Sequence, residues 1–304
     1  MTLVFLLLPL FLLSGLGWAL VRFNLIRSGW VAGANDLATR VLIPALLLLG
    51  TYKNGLPDDA PVSLLLAFYL PFILLFMLVA FLFRHTTIRA QLSLATLYSN
   101  TVFIGIPVVI QVLGEASLEY VFPIIAFHSL VGFSLYYLTD SLTELSPGGS
   151  SRLLPALTKT LRNPLVFSLL LGLALNFLNV TLPQWLQLPL EMLADASLPC
   201  ALLVLGASLA QFKLGYTLQS FGVVVAKLLV LPALVLTASF MFRLSLEAIT
   251  VLLILSSGPT GINAYILASN DNKGVATVSS VILLSSLLYL FTLPTWLWVI
   301  SRFG

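Results

Sequence analysis

The chain has 304 residues, 60% of them hydrophobic and only 8% charged, and its mean hydropathy is +1.08. So few charges cannot cover the surface of a water-soluble domain, and a formal net charge of +3, scattered along the chain, is too small to draw a nucleic acid. A lone cysteine, Cys200, excludes an intrachain disulfide.

Roughly 20 apolar residues cross about 30 Å of hydrocarbon, and the apolar runs between polar breaks predict ten membrane spans. Span 1, residues 3–21, opens MTLVFLLLPL with no basic residue before it and no cleavage site of small residues, so it reads as a helix of the mature protein rather than a signal peptide. Span 2, residues 33–52, starts with the polar NDLATR, where Asp36 and Arg40 stand four apart and pair on one helical face. Span 3 covers residues 62–83 and span 4 residues 91–112, the latter carrying SNTVFIGIP from Ser99 to Pro107. Span 5, residues 118–138, holds His128; a proton relay is one role for it, and a neutral histidine hydrogen-bonded between helices is the plainer one. After the polar linker DSLTELSPGGSSRLLP come span 6 at 162–179 and span 7 at 190–210, with Glu191 and Asp195 at an interfacial end. Span 8, residues 216–241, carries Lys227, which either attracts an anion or stands in for a coupling ion, or else snorkels to the interface. Span 9, residues 247–268, carries SSGPTGINAY, and span 10 covers residues 274–300.

Basic residues set the orientation. Arg22, Arg27, Arg84, Arg89, Arg152, Lys159, Arg162, Lys213 and Lys273 follow odd-numbered spans, whereas only Lys53, Arg243 and Arg302 follow even-numbered ones. The odd loops therefore belong in the cytoplasm and both termini outside. A repeat agrees with this: a shift of 155 residues lays Pro9 on Pro164, Gly17 on Gly172 and Pro44 on Pro199. Five spans per half is an odd number, so the two halves are expected to be inverted relative to each other. The expected layout is a first repeat at 1–139, a cytoplasmic linker at 140–158 and a second repeat at 159–304.

Spans 4 and 9 hold the same place in the two halves, and both are interrupted. Pro107 denies the carbonyl of Phe103 its helical partner and Pro259 does the same to Leu255. Freed backbone groups are tolerated at membrane depth only where protein, water or a ligand supplies a partner. Gly105, Gly258 and Gly261 add freedom, and Asn100 and Asn263 add amides. A plain proline kink explains either break alone; the matched pair points to discontinuous helices around a midplane site. Half-helix N-termini favour an anion. Neither stretch contains Asp or Glu, which argues against a carboxylate-based cation site.

NTVFIGIPVV, PTGINAYILA, RNPLVFSLLLGLAL, SLPCALLVLGASLA and LIPALLL together resemble the auxin efflux carrier family, which includes bacterial malate- or malonate-type permeases and plant PIN-type exporters. The resemblance implies an all-α polytopic membrane protein with ten transmembrane helices in two inverted five-helix repeats, crossing at the broken helices 4 and 9. It also implies elevator-type carriage of an organic anion, with Asn100, Thr101, Gly105 and Pro107 in one crossing element and Pro259 and Asn263 in the other, while the break itself adds Gly258 to the candidate binding residues. Lys227 and His128 are the accessory candidates.

The leading expectation is thus a permease of a small organic anion, a carboxylate, in the bacterial inner membrane, with no cofactor, metal or nucleic acid and with a homodimer left open. A ligand sensor or scaffold retaining the carrier fold is the alternative. An enzyme is not expected: the chain has no HExxH and no GxSxG, and its two histidines, His85 and His128, lie in different spans and loops.

Overall fold

The computed structural model describes residues 3–27, 29–55, 61–141, 163–212 and 217–303. The linker at 142–162, with Arg152, Lys159 and Arg162, lies outside the described residues, as does Lys213. Within them the chain is all-helical, with no strand and one isolated β-bridge, Ser99 to Thr260. The helices are α1 Leu3–Arg22, α2 Trp30–Leu37, α3 Ile43–Asn54, α4 Pro61–Leu82, α5 Arg89–Leu97, α6 Ile106–Leu113 and α7 Leu118–Ser141, followed by α8 Pro164–Phe177, α9 Gln184–Leu209, α10 Leu218–Val225, α11 Leu231–Met241, α12 Leu246–Ser257, α13 Ile262–Asn270 and α14 Val275–Ile300.

Helix occupies each of the ten stretches that the hydropathy pattern marks, and span 7 starts earlier than expected because Pro183 caps a helix that runs from Gln184. Six helical runs are long and apolar enough to cross a membrane: Trp30–Asn54, Val62–Leu82, Glu115–Asp140, Gln184–Leu209, Leu218–Met241 and Val275–Ile300. Shorter apolar helices lie at Leu7–Arg22, Thr101–Leu113, Pro164–Phe177 and Leu246–Ser257. α4 illustrates why lipid is needed. It buries Phe68, Phe72 and Phe76 on one face and leaves Leu70, Leu74, Met77 and Phe81 exposed on the other; a helix apolar on all sides is stable only where its outer face meets hydrocarbon. Asp36 and Arg40 pair as expected, Arg40 Nε lying 3.4 Å from Asp36 Oδ1.

The chain divides into two compact units, each drawing helices from both halves of the sequence. The first comprises Met1–Pro61, Val102–Ala126 and Leu161–Gln211; the second comprises Val62–Thr101, Phe127–Thr160 and Phe212–Gly304.

In the first unit, helices touch backbone to backbone at glycines. A Cβ on Gly17 of α1 would overlap the Leu203 carbonyl of α9, and one on Gly206 of α9 would overlap the Ser14 carbonyl of α1. A Cβ on Gly172 of α8 would overlap the Leu48 carbonyl of α3, and Thr51 Oγ1 of α3 approaches the Leu169 carbonyl of α8 at 3.3 Å. These contacts are related in pairs. The 155-residue shift that aligns the two halves carries Gly17 to Gly172 and Leu48 to Leu203, and likewise Ser14 to Leu169 and Thr51 to Gly206. Lys53 Nζ, 2.9 Å from Glu191 Oε1, closes one end of this unit.

In the second unit a polar cluster ties together the ends that follow spans 3, 5 and 9. Arg89 donates to the Thr139 carbonyl at 3.2 Å, and Lys273 Nζ lies 3.3 Å from Asp140 Oδ1. Tyr136 Oη accepts from Gln91 Nε2 at 2.8 Å and donates to Asp271 Oδ2 at 2.6 Å. Three of the loops assigned to one side of the membrane by their basic residues thus share one end of this unit.

Candidate functional site

Spans 4 and 9 are both broken, and in the second unit the breaks cross. α5 stops at Leu97 because Tyr98 turns to extended geometry (φ −72°, ψ 93°). α12 stops at Ser257, where Gly258 takes φ −54° and ψ 147°, and α13 restarts after Gly261. The two short extended segments run antiparallel. The N–H of Asn100 donates to the Pro259 carbonyl and that of Gly261 to the Tyr98 carbonyl, each at 2.8 Å. Backbone groups freed by one break therefore satisfy those freed by the other, as membrane depth demands. Gly261 makes the close approach possible, since a Cβ there would press on the Tyr98 ring at 3.0 Å and the Ser99 carbonyl at 3.3 Å.

The last carbonyls of α5 and α12 have no helical N–H to accept from. Thr260 Oγ1 donates to the Ala95 carbonyl at 2.6 Å, and Lys227 Nζ donates to the Ser256 carbonyl at 2.8 Å and to Ser99 Oγ at 2.6 Å. The Thr260 N–H in turn reaches Ser285 Oγ of α14 at 3.1 Å. Lys227 does not snorkel: its side chain is fully buried. It projects from a π turn, Ala226–Val230, whose extra residue re-aims the side chains around it.

Pro107 does not make the break in span 4, contrary to expectation. The interruption lies at Tyr98–Asn100, and Pro107 sits in the first turn of α6, directly after a π turn at Thr101–Gly105. A π turn pairs residue i with i+5, which steps over the N–H that proline lacks. Pro44 and Pro232 follow the π turns Ala38–Leu42 and Ala226–Val230 in the same way. Near the last of these, the Leu228 carbonyl accepts from Trp296 Nε1 at 2.9 Å. Gly105 and Pro107 belong to the first unit, whereas Asn100, Thr101, Gly258, Pro259, Asn263, Lys227 and His128 all belong to the second.

Asn100 and Thr101 are buried, while Asn263, on the first turn of α13, is exposed. Asn263 Nδ2 donates to Tyr98 Oη at 3.0 Å, and the same hydroxyl bonds Ser129 Oγ at 2.7 Å. His128 is buried, its ring set among Phe68, Phe72 and Tyr98 at centroid distances of 5.9, 5.6 and 4.6 Å, and it interacts with the Ser99 backbone. Tyr98, Ser99, Ser256 and Thr260 are central to the crossing, yet sequence reasoning passed over them. The available signal was the polar run Tyr98-Ser99-Asn100-Thr101 inside an apolar span.

Chemically, the crossing is a site of two polarities. The C-terminal ends of α5 and α12 carry partial negative charge and face an ammonium group, while the N-terminal end of α13 carries partial positive charge beside an exposed amide. Such an arrangement offers small charged solutes polar groups of either sign.

Residues 150–297 match the family model described as "Membrane transport protein". The chain is also 25% identical over 285 residues to the "Putative malonate transporter" of Rhizobium meliloti (strain 1021), covering 90% of this chain and 87% of that protein. Both matches are to membrane transport proteins, the first covering the second broken span and the second nearly the whole chain, and both agree with the motif resemblance to the auxin efflux carrier family: the chain is similar to multi-pass membrane transporters.

Proposed function

We propose that this permease moves a small organic anion, a carboxylate of the malonate type, across the bacterial inner membrane by an elevator-type movement of one compact unit. The carrying observation is the antiparallel crossing of the two broken helices, which leaves the start of α13 and the exposed Asn263 as a positively polarised ligand surface. Asn100, Thr101, Gly258, Pro259 and Asn263 bind the anion, with Gly105 and Pro107 shaping the helix that leads away. The name of the Rhizobium relative, a malonate transporter, supports the substrate class.

Support for ten spans in two inverted five-helix repeats comes from the paired glycine contacts of the first unit, which recur under the 155-residue shift. Support for the elevator comes from the division into two units that each use both halves of the chain. Both termini face outward on the strength of the basic loops, and a C-terminal reporter active only outside the cytoplasm checks that orientation.

Labelled malonate added to proteoliposomes should accumulate above protein-free liposomes, faster when the potential favours anion entry. Binding without accumulation, detected as a malonate-dependent rise in Tm with no uptake, would instead identify a sensor.

A further inference from the structure

We infer that the Lys227 ammonium is a tethered cation, fixed where the crossing would otherwise require a coupling ion, and that the site therefore needs no Na⁺. For its effect on uptake the inference rests on the transport reading; for ion binding it stands on the geometry alone.

The two half-helices α5 and α12 both end at the crossing, so their partial negative charges, and carbonyls left without a helical N–H, converge there. A cation belongs at such a place. Lys227 Nζ lies 2.6 Å from Ser99 Oγ and 2.8 Å from the Ser256 carbonyl, one oxygen from each broken span. These separations are those of charged N–H···O bonds. A buried ammonium held only by neutral groups is costly, and no Asp or Glu lies anywhere between Arg89 and Gly114 or between Ala248 and Asn270 to compensate it. The compensation comes instead from the Ser256 carbonyl at the end of α12 and the Ser99 hydroxyl, oxygen ligands of the kind that would hold a small metal cation. An ammonium has three N–H donors; two are used among the described residues, and the third would serve an incoming anion. The π turn that bears Lys227 is the local device that delivers the charge.

The first test is melting of the purified wild-type chain in NaCl against choline chloride. The expected Tm difference is less than about 1 °C, because a filled site gains no ligand stabilisation; a clear rise in Na⁺ would overturn the inference. The second test uses Lys227→Ala, which removes the charge and leaves room beside Ser99 and the Ser256 carbonyl. Its lowered Tm should recover with ethylammonium or Na⁺ and not with choline. A variant whose Tm ignores all three ions, or that fails to fold even when extracted in ethylammonium, would contradict the proposal. The third is Lys227→Met, similar in length and uncharged, expected to lose malonate uptake by about tenfold or more; undiminished uptake would count against a tethered cation. Should the wild type take up no malonate, the substrate assignment fails while the two melting tests still decide the role of Lys227.

Discussion

Tyr98 joins packing and polarity at one position. Its ring lies against Gly261 and Gly132, where a Cβ would meet it at 3.0 and 3.1 Å, and its hydroxyl holds Ser129 and Asn263. Tyr98→Phe keeps the packing and removes the shared hydroxyl, losing two hydrogen bonds to partly exposed partners at a net cost of about 0.5–1.5 kcal/mol each. Calorimetry should show a lower Tm with unchanged helicity; an unaltered Tm would mean that water replaces the hydroxyl. Asn100, Thr101, Pro259 and Asn263 were legible in the sequence because amides and proline are conspicuous in an apolar span. Tyr98 and Ser99 were not, because serine and tyrosine occur in membrane helices without consequence, serine commonly bonding back to its own helix as Ser93 does to the Arg89 carbonyl. Lys227 was legible as a charge inside a span, but whether it snorkels depends on a π turn that no residue type announces.

At the scale of elements, the placing of helices was readable because it rests on hydropathy, and break position was not. Proline marks where a hydrogen bond is missing, yet three prolines here follow π turns that step over the gap, so Pro107 pointed several residues past the true interruption. The glycine pairs were readable as a repeat, though not as contacts. Gly17 and Gly172 were aligned by the 155-residue shift, and the structure gives each the same task of admitting a backbone carbonyl from another helix. Gly17→Ala and Gly172→Ala should therefore each lower Tm by a similar amount, by forcing apart helices whose close approach is the contact itself. Thermal melts of the two variants check this. Unequal losses, with one variant at wild-type stability, would remove the support that these contacts lend to an internal repeat.

For the whole molecule, two units assembled from both halves of the chain put the chemistry in one of them. The second unit holds the crossing, Lys227 and the buried His128 together, and the first unit holds the glycine-matched helix pairs. Under the proposed elevator reading such a division serves transport, because the ligand site must stay intact while access to it changes. The central claim is that the crossing binds the transported anion, and paired measurements on Asn100→Leu and Asn263→Leu test it most directly: labelled malonate uptake into proteoliposomes beside the Tm of the same purified preparations. Both substitutions remove an amide without adding charge. Uptake should fall about tenfold or more for Asn263→Leu, whose exposed amide lies at the start of α13, with Tm close to wild type, and Asn100→Leu should lose uptake together with part of its stability because Asn100 is buried. Full uptake by both variants would contradict the account.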